Sequence, residues 1–95
     1  MYGLITRLTA HPGRRDELAL MLLDPEVERP GCHSYVVAFE QTDPDAVWVS
    51  EVWMNEDAHR AMLDEANREK LRPALGLIAT FGDTVFTRPI GGVGL

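Results

Sequence analysis

The stretch Ser50-Glu51-Val52-Trp53-Met54-Asn55-Glu56-Asp57-Ala58-His59 decides how this chain folds. Its first half closes a run of β-branched and aromatic residues, which suits a pleated, half-buried strand ending at Trp53. Just beyond it, Asn55 is placed to cap a helix, with Glu56 and Asp57 in the first turn, where negative charge meets the positive helix end. His59, Met62, Leu63 and Ala66 then fall at helical spacing and form one apolar stripe. A single junction thus sets a large aromatic and a proton carrier at the mouth of a sheet-and-helix core, where a small pocket can form.

Upstream of that junction, Cys32 to Glu40 and Ala46 to Trp53 read as two strands. Gln41-Thr42-Asp43-Pro44-Asp45 turns between them, so they form a hairpin. Before them, Tyr2 to Thr9 reads as a first strand broken by His11-Pro12-Gly13. A helix from about Arg14 to Leu23 follows, with Leu18, Met21 and Leu22 on one side. Pro25 ends it, and Pro30-Gly31 closes the connection.

Downstream, Leu71, Ala74, Leu75 and Ile78 repeat the helical spacing. Pro73 falls among them, which predicts two short helices or one kinked helix. The last strand is expected over about Phe81 to Arg88, ended by Pro89, with Ile90 to Leu95 as a flexible tail. The order strand, helix, strand, strand, helix, strand predicts an α+β, ferredoxin-like βαββαβ domain spanning residues 1–95. It has a four-stranded antiparallel sheet with helices on one face. Both faces of the hairpin carry apolar side chains: Tyr35, Val37 and Phe39 against Val36 and Ala38, and Val47, Val49 and Trp53 against Trp48 and Val52. With helices for only one face, the sheet is expected to pack against a second copy, giving a homodimer of the dimeric α/β-barrel type.

Composition narrows the function. With 95 residues, a formal charge of −6 and no basic run longer than Arg14-Arg15, the chain lacks the clustered cations of a nucleic-acid or anionic-membrane surface. No apolar run approaches membrane-spanning length, and the N-terminus is too short and polar for a signal peptide. The lone Cys32 allows no internal disulfide, which fits a reducing, cytoplasmic setting. Three scattered histidines and one cysteine make no metal-binding pattern. Gly91-Gly92-Val93-Gly94 precedes no helix, so it is no dinucleotide loop. No flavin, nicotinamide or nucleotide site is indicated, and no cofactor is expected.

His59 is the candidate catalytic residue, because an imidazole exchanges protons near neutral pH. The competing reading is a core histidine satisfied by a backbone carbonyl. Trp53, Tyr35, Trp48 and Phe39 are placed to stack on a flat aromatic ligand. For most of them sheet core and dimer interface is the preferred reading, and Trp53, at a strand end, is the least clear case. Met62 reads as packing before cavity wall. Asn67 and Arg72 are candidates for orienting a substrate oxygen, with a solvated helix face as the favoured alternative. Glu51 shares a strand face with Val47, Val49 and Trp53 and needs a partner; Arg7, on a neighbouring strand, is a candidate, with a structural ion pair as the preferred reading and a catalytic acid as the alternative. His33 and His11 read as inert.

Four segments also carry a family likeness: His11-Pro12-Gly13-Arg14-Arg15-Asp16-Glu17-Leu18, Pro30-Gly31-Cys32-His33-Ser34-Tyr35, Ser50-Glu51-Val52-Trp53, and Arg88-Pro89-Ile90-Gly91-Gly92-Val93-Gly94-Leu95. In this order and spacing the chain resembles the antibiotic biosynthesis monooxygenase family of dimeric α/β-barrel proteins, and within it the quinol monooxygenase branch. The first helix and its connection are shorter than is usual there. The resemblance implies a cofactor-independent monooxygenase that oxidises a small phenol or hydroquinone with O₂. It also admits a dimeric ligand-binding or stress-associated protein, or a proton-transfer isomerase, on the same scaffold. The haem-degrading branch fits badly: where it needs Asn, Trp and His, this chain has Thr6, Met62 and Arg72.

Overall fold

The computed structural model describes residues 1–95. Four strands, β1 (Tyr2–Ala10), β2 (Cys32–Phe39), β3 (Ala46–Trp53) and β4 (Ile78–Thr87), form one antiparallel sheet in the order β2-β3-β1-β4. Helices α1 (Arg15–Leu22), α2 (Glu56–Met62) and α3 (Glu65–Leu75) cover one face. This is the ferredoxin-like α+β arrangement, with its second helical unit in two pieces.

Strand pairing fixes which side chains face the helices. Leu4 stands opposite Glu51, Thr6 opposite Val49 and Leu8 opposite Val47. Tyr35, Val37 and Phe39 pair with Glu51, Val49 and Val47 in turn. Successive strand residues point to opposite faces, so these share the helix side. Leu18 of α1 and Ala74 of α3 close the core there with Leu8, Val47, Val49 and Leu77. A second cluster joins Trp53, fully buried, to Leu4, Val27 and Met62.

The helical break differs from expectation. It falls at Leu63–Asp64, not around Pro73. Asp64 caps α3 by accepting from the Asn67 backbone N–H at 2.8 Å. Pro73 sits inside α3 near its end, and the helix runs on to Leu75. A proline there costs one backbone hydrogen bond, while an aspartate cap starts a helix outright. Ile78, expected on a helical stripe, instead begins β4, where it pairs with Ala10 across a register shift.

Gly31 shows why Pro30-Gly31 closes the first connection as it does. Its φ is +83°, a left-handed conformation that side chains disfavour, and a Cβ there would lie 2.9 Å from that of Ala58. Its carbonyl accepts from the Met54 N–H at 2.7 Å. The start of β2 is thereby held against the strand-to-helix junction that carries His59.

The opposite sheet face bears no helix. It carries Ile5, Val36, Ala38, Trp48, Val52 and Val85, several of them well exposed. Among them Arg7 donates to Glu40 at 2.8 and 3.1 Å and to Asp43 at 3.2 Å. Trp48 Nε1 donates to the same Glu40 at 3.1 Å. These bonds, the guanidinium of Arg7 foremost, pull the Glu40 carboxyl down to about 2. Strand β4 reaches beyond the helical layer, and Phe81 and Phe86, on its helix side, are each 64% exposed. No helix is long and apolar enough to cross a membrane.

Candidate active site

A cavity of about 240 Å³ lies between the sheet and the helices. All four strands and all three helices contribute to its wall, and ten of its thirteen lining residues are apolar. The polar members, Arg29, Glu51 and His59, therefore fix what chemistry it can do.

His59 arrives through local capping. The Asn55 side chain accepts from the Ala58 N–H at 2.8 Å, and Glu56 pairs with Arg60 at 2.8 Å one turn on. The short helix thus turns its imidazole inward. That ring packs edge-on to Trp53 with centroids 5.4 Å apart, and tilted against Tyr2 at 5.6 Å. Trp53 Nε1 donates to Glu51 at 3.0 Å. Trp53 does not itself line the cavity; it is the buried floor that braces both His59 and Glu51.

Burial pushes the Glu51 carboxyl above its ordinary value, against the hydrogen bond from Trp53 and the charges of His59 and Arg29. The partner expected for Glu51 is not the one found. Arg7 stands opposite Trp48 in the register, on the other sheet face, and pairs with Glu40 and Asp43.

Arg29 is the residue that sequence reasoning missed. It sits in the connection between α1 and β2, with its guanidinium carbon 4.0 Å above the Tyr35 ring. Its Nη2 donates to the Leu22 carbonyl at 2.9 Å and its Nη1 to that of Val27 at 3.4 Å. Its Nε is buried with no partner. Nothing in the local sequence marks this arginine, because it enters the cavity by a connection of irregular backbone.

Tyr35 and Met62 line the cavity beside His59. Asn67 and Arg72 do not. Asn67 is no solvated residue either; it is 3% exposed, and its amide is consumed by the backbone of Glu28 and the carbonyl of Met62. Arg72 is exposed and pairs with Glu69 at 2.6 Å, as a solvated helix face would have it. Trp48 faces away from the helices and Phe39 packs under Arg15, so neither joins the cavity. His11 and His33 are exposed.

A family model described as antibiotic biosynthesis monooxygenase matches residues 1–72, which include every polar side chain of the cavity wall. The chain belongs to the antibiotic biosynthesis monooxygenase family. A solved structure from Chloroflexus aurantiacus that bears the family's name is 40% identical, with a TM-score of 0.88, covering 96% of this chain and 94% of that one. Structures of the same family name from Caulobacter crescentus (17% identity, TM-score 0.81, covering 95% and 90%) and Deinococcus radiodurans (16%, 0.75, covering 98% and 96%) share the fold. No curated protein matches the chain. The family accounts for the layered scaffold; Arg29, Glu51 and His59 are the polar groups of this chain's cavity.

Proposed function

We propose that the protein is a cofactor-independent monooxygenase that oxidises a small phenol or hydroquinone with O₂. The observation that carries this reading is the apolar cavity lined by His59 from the helical layer and Glu51 from the sheet. An apolar cavity of about 150 Å³ holds a benzene ring. At about 240 Å³, this one suits a single ring with substituents better than a fused polycycle.

The substrate supplies the reducing power. His59 takes the phenolic proton, and the resulting phenolate passes an electron to O₂. The radical pair combines at a ring carbon to give a hydroperoxide. Loss of water leaves a carbonyl at that carbon, so one atom of O₂ enters the quinone and the other leaves as water. The protein contributes a base, a dry cavity and the orientation of the ring. Glu51, whose carboxyl burial raises above its ordinary value, lines the same cavity as His59 and faces the same ligand.

The reading includes a homodimer. Val36 and Val85, 51% and 56% exposed on the helix-free face, are apolar surface that a second copy of the sheet would cover.

Oxygen uptake with a panel of hydroquinones and phenols, in buffer stripped of metals and flavin, tests the function. Consumption from which catalase returns no O₂ is expected, because a monooxygenase releases water and not peroxide. His59→Ala is expected to abolish it while the dimer persists in sedimentation. A fully active His59→Ala would remove the imidazole from the mechanism. Tight binding of the same aromatics without consumption would make the protein a ligand-binding member of its family.

A further inference from the structure

The cavity's permanent charge is positive. Arg29 is its one guanidinium, and each terminal nitrogen gives one of its two N–H groups to a neutral backbone carbonyl. Every ion pair of the chain lies elsewhere, so no carboxylate stands within 4.0 Å of it. The Nε–H has no partner at all. Acidic groups surround it, yet burial pushes each of them toward its neutral form: the Tyr35 phenol, the Cys32 thiol and the Glu51 carboxyl. Glu51 is the one carboxyl in the cavity wall, it makes no ion pair with the half-buried guanidinium, and burial weakens it as a counter-charge, so Arg29 keeps capacity for an anion that a ligand brings.

We propose that the cavity selects its aromatic ligand as the oxyanion, a phenolate or enolate whose negative oxygen takes Arg29 as its counter-ion. This rests on the aromatic reading of the cavity and adds the ionic form that it binds. The Arg29 side chain is held flat on Tyr35 and tethered to Leu22 and Val27, so little is lost in ordering it when the anion arrives. The apolar walls, Met62 and Leu71 among them, accept the ring, and Phe81 and Leu75, also in the lining, are exposed to solvent. His59 then lies where it would accept the proton that the ligand gives up. In this arrangement Arg29 favours the ionised substrate and His59 handles its proton. The titratable groups facing the ligand oxygen are Arg29, Glu51, His59 and Tyr35, with Cys32 behind them.

The test uses para-nitrophenol, whose anion is coloured and whose ring resists oxidation, so its reading does not depend on turnover. The pH titration of the bound probe, followed by absorbance, gives the preference for anion over neutral phenol; a tenfold preference lowers the bound pKa by about one unit. A preference of about tenfold or more is expected for the wild-type protein. Arg29→Gln should reduce it to about one, and Glu51→Gln, which removes at most a weakened counter-charge, should leave it at least as large as in the wild type. Wild-type protein that fails to bind the probe, or favours the neutral phenol, overturns the proposal, as does an Arg29→Gln protein that keeps the anion preference. Should Arg29→Gln fail to fold, His59→Gln decides: the anion preference should persist there because Arg29 remains, and its disappearance would assign the anion to the imidazole and overturn the proposal. Anion-selective binding alongside a silent oxygen-uptake panel would leave this inference standing and remove the oxygenase reading alone.

Discussion

Replacing Asn67 by Ala tests the account of the helical layer most directly. The Asn67 side chain makes three hydrogen bonds in a nearly sealed site: Nδ2 donates to Glu28 O at 2.7 Å and to Met62 O at 2.8 Å, and Oδ1 accepts from Glu28 N at 3.2 Å. Alanine leaves two carbonyls and one N–H without these partners. Each stranded buried group costs about 1–3 kcal/mol, and carbonyls, with water able to follow into the vacated space, sit at the low end. A net loss of roughly 3 kcal/mol follows, which for a domain of this size lowers Tm by roughly 12–24 °C. Urea unfolding followed by tryptophan fluorescence measures it. A loss below about 1 kcal/mol would refute the reasoning and return Asn67 to the status of an ordinary helix residue. Asn67→Asp sharpens the test. It keeps the acceptor but turns a carboxylate toward two carbonyls, so at neutral pH it should be no more stable than Asn67→Ala. Burial there raises the carboxyl's folded-state pKa above the unfolded value of about 3.9. The charge penalty is therefore absent below that value and grows as pH rises through the folded pKa. Relative to Asn67→Ala, the aspartate variant should recover in acid.

Other outcomes follow from the same contacts. Glu40 is depressed to about 2 by Arg7 and Trp48, so its stabilising contribution is complete above the usual carboxylate range near 4.5 and is lost as pH falls toward 2. Arg7→Met should weaken the fold at neutral pH and differ progressively less from wild type on acidification; a pH-independent difference would break the link. Gly31→Ala forces a side chain into a left-handed conformation and against Ala58, and is expected to lower Tm and loosen the start of β2 as read by amide exchange. In the proposed dimer, Val36→Lys puts charge into the sheet-to-sheet interface and should shift sedimentation toward monomer, with Tm read separately; a dimer that persists would place the interface elsewhere.

The parts of the fold written in short-range pattern were legible. The hairpin turn at Gln41 to Asp45, the cap at Asn55 and the leucine stripe of α1 each follow from residues within one or two turns of each other. The helical break falls at Asp64 because a cap that starts a helix outweighs a proline near a helix end. Asp64 followed by Asn67 marks a helix start whose second residue plugs the joint from inside, and that role appears only once Glu28 is seen across the layer. The end of the last helix was blurred for a related reason. Leu77 donates its N–H back to Ala74 while its carbonyl accepts from His11, so the chain passes from helix to sheet across Gly76 and Leu77 alone, with no polar residue to mark the change.

The site was legible only on its strand-and-cap side. His59 was placed by the Asn55 cap and Glu51 by alternation along β3. The mistaken pairing of Glu51 with Arg7 came from treating neighbouring strands as neighbouring side chains. In the β1–β3 register, odd residues of β1 share a face with even residues of β3, as Arg7 does with Trp48. A buried Trp53 already assigns the odd residues of β3 to the core side, so it sends Arg7 to the other face. A core-facing carboxylate in this sheet then has no cation within its own layer. Its electrostatic partners must come from the helices or the connections above it, where His59 and Arg29 stand. The charge of the cavity is thus set by side chains brought in over the sheet, and the strands alone do not specify it.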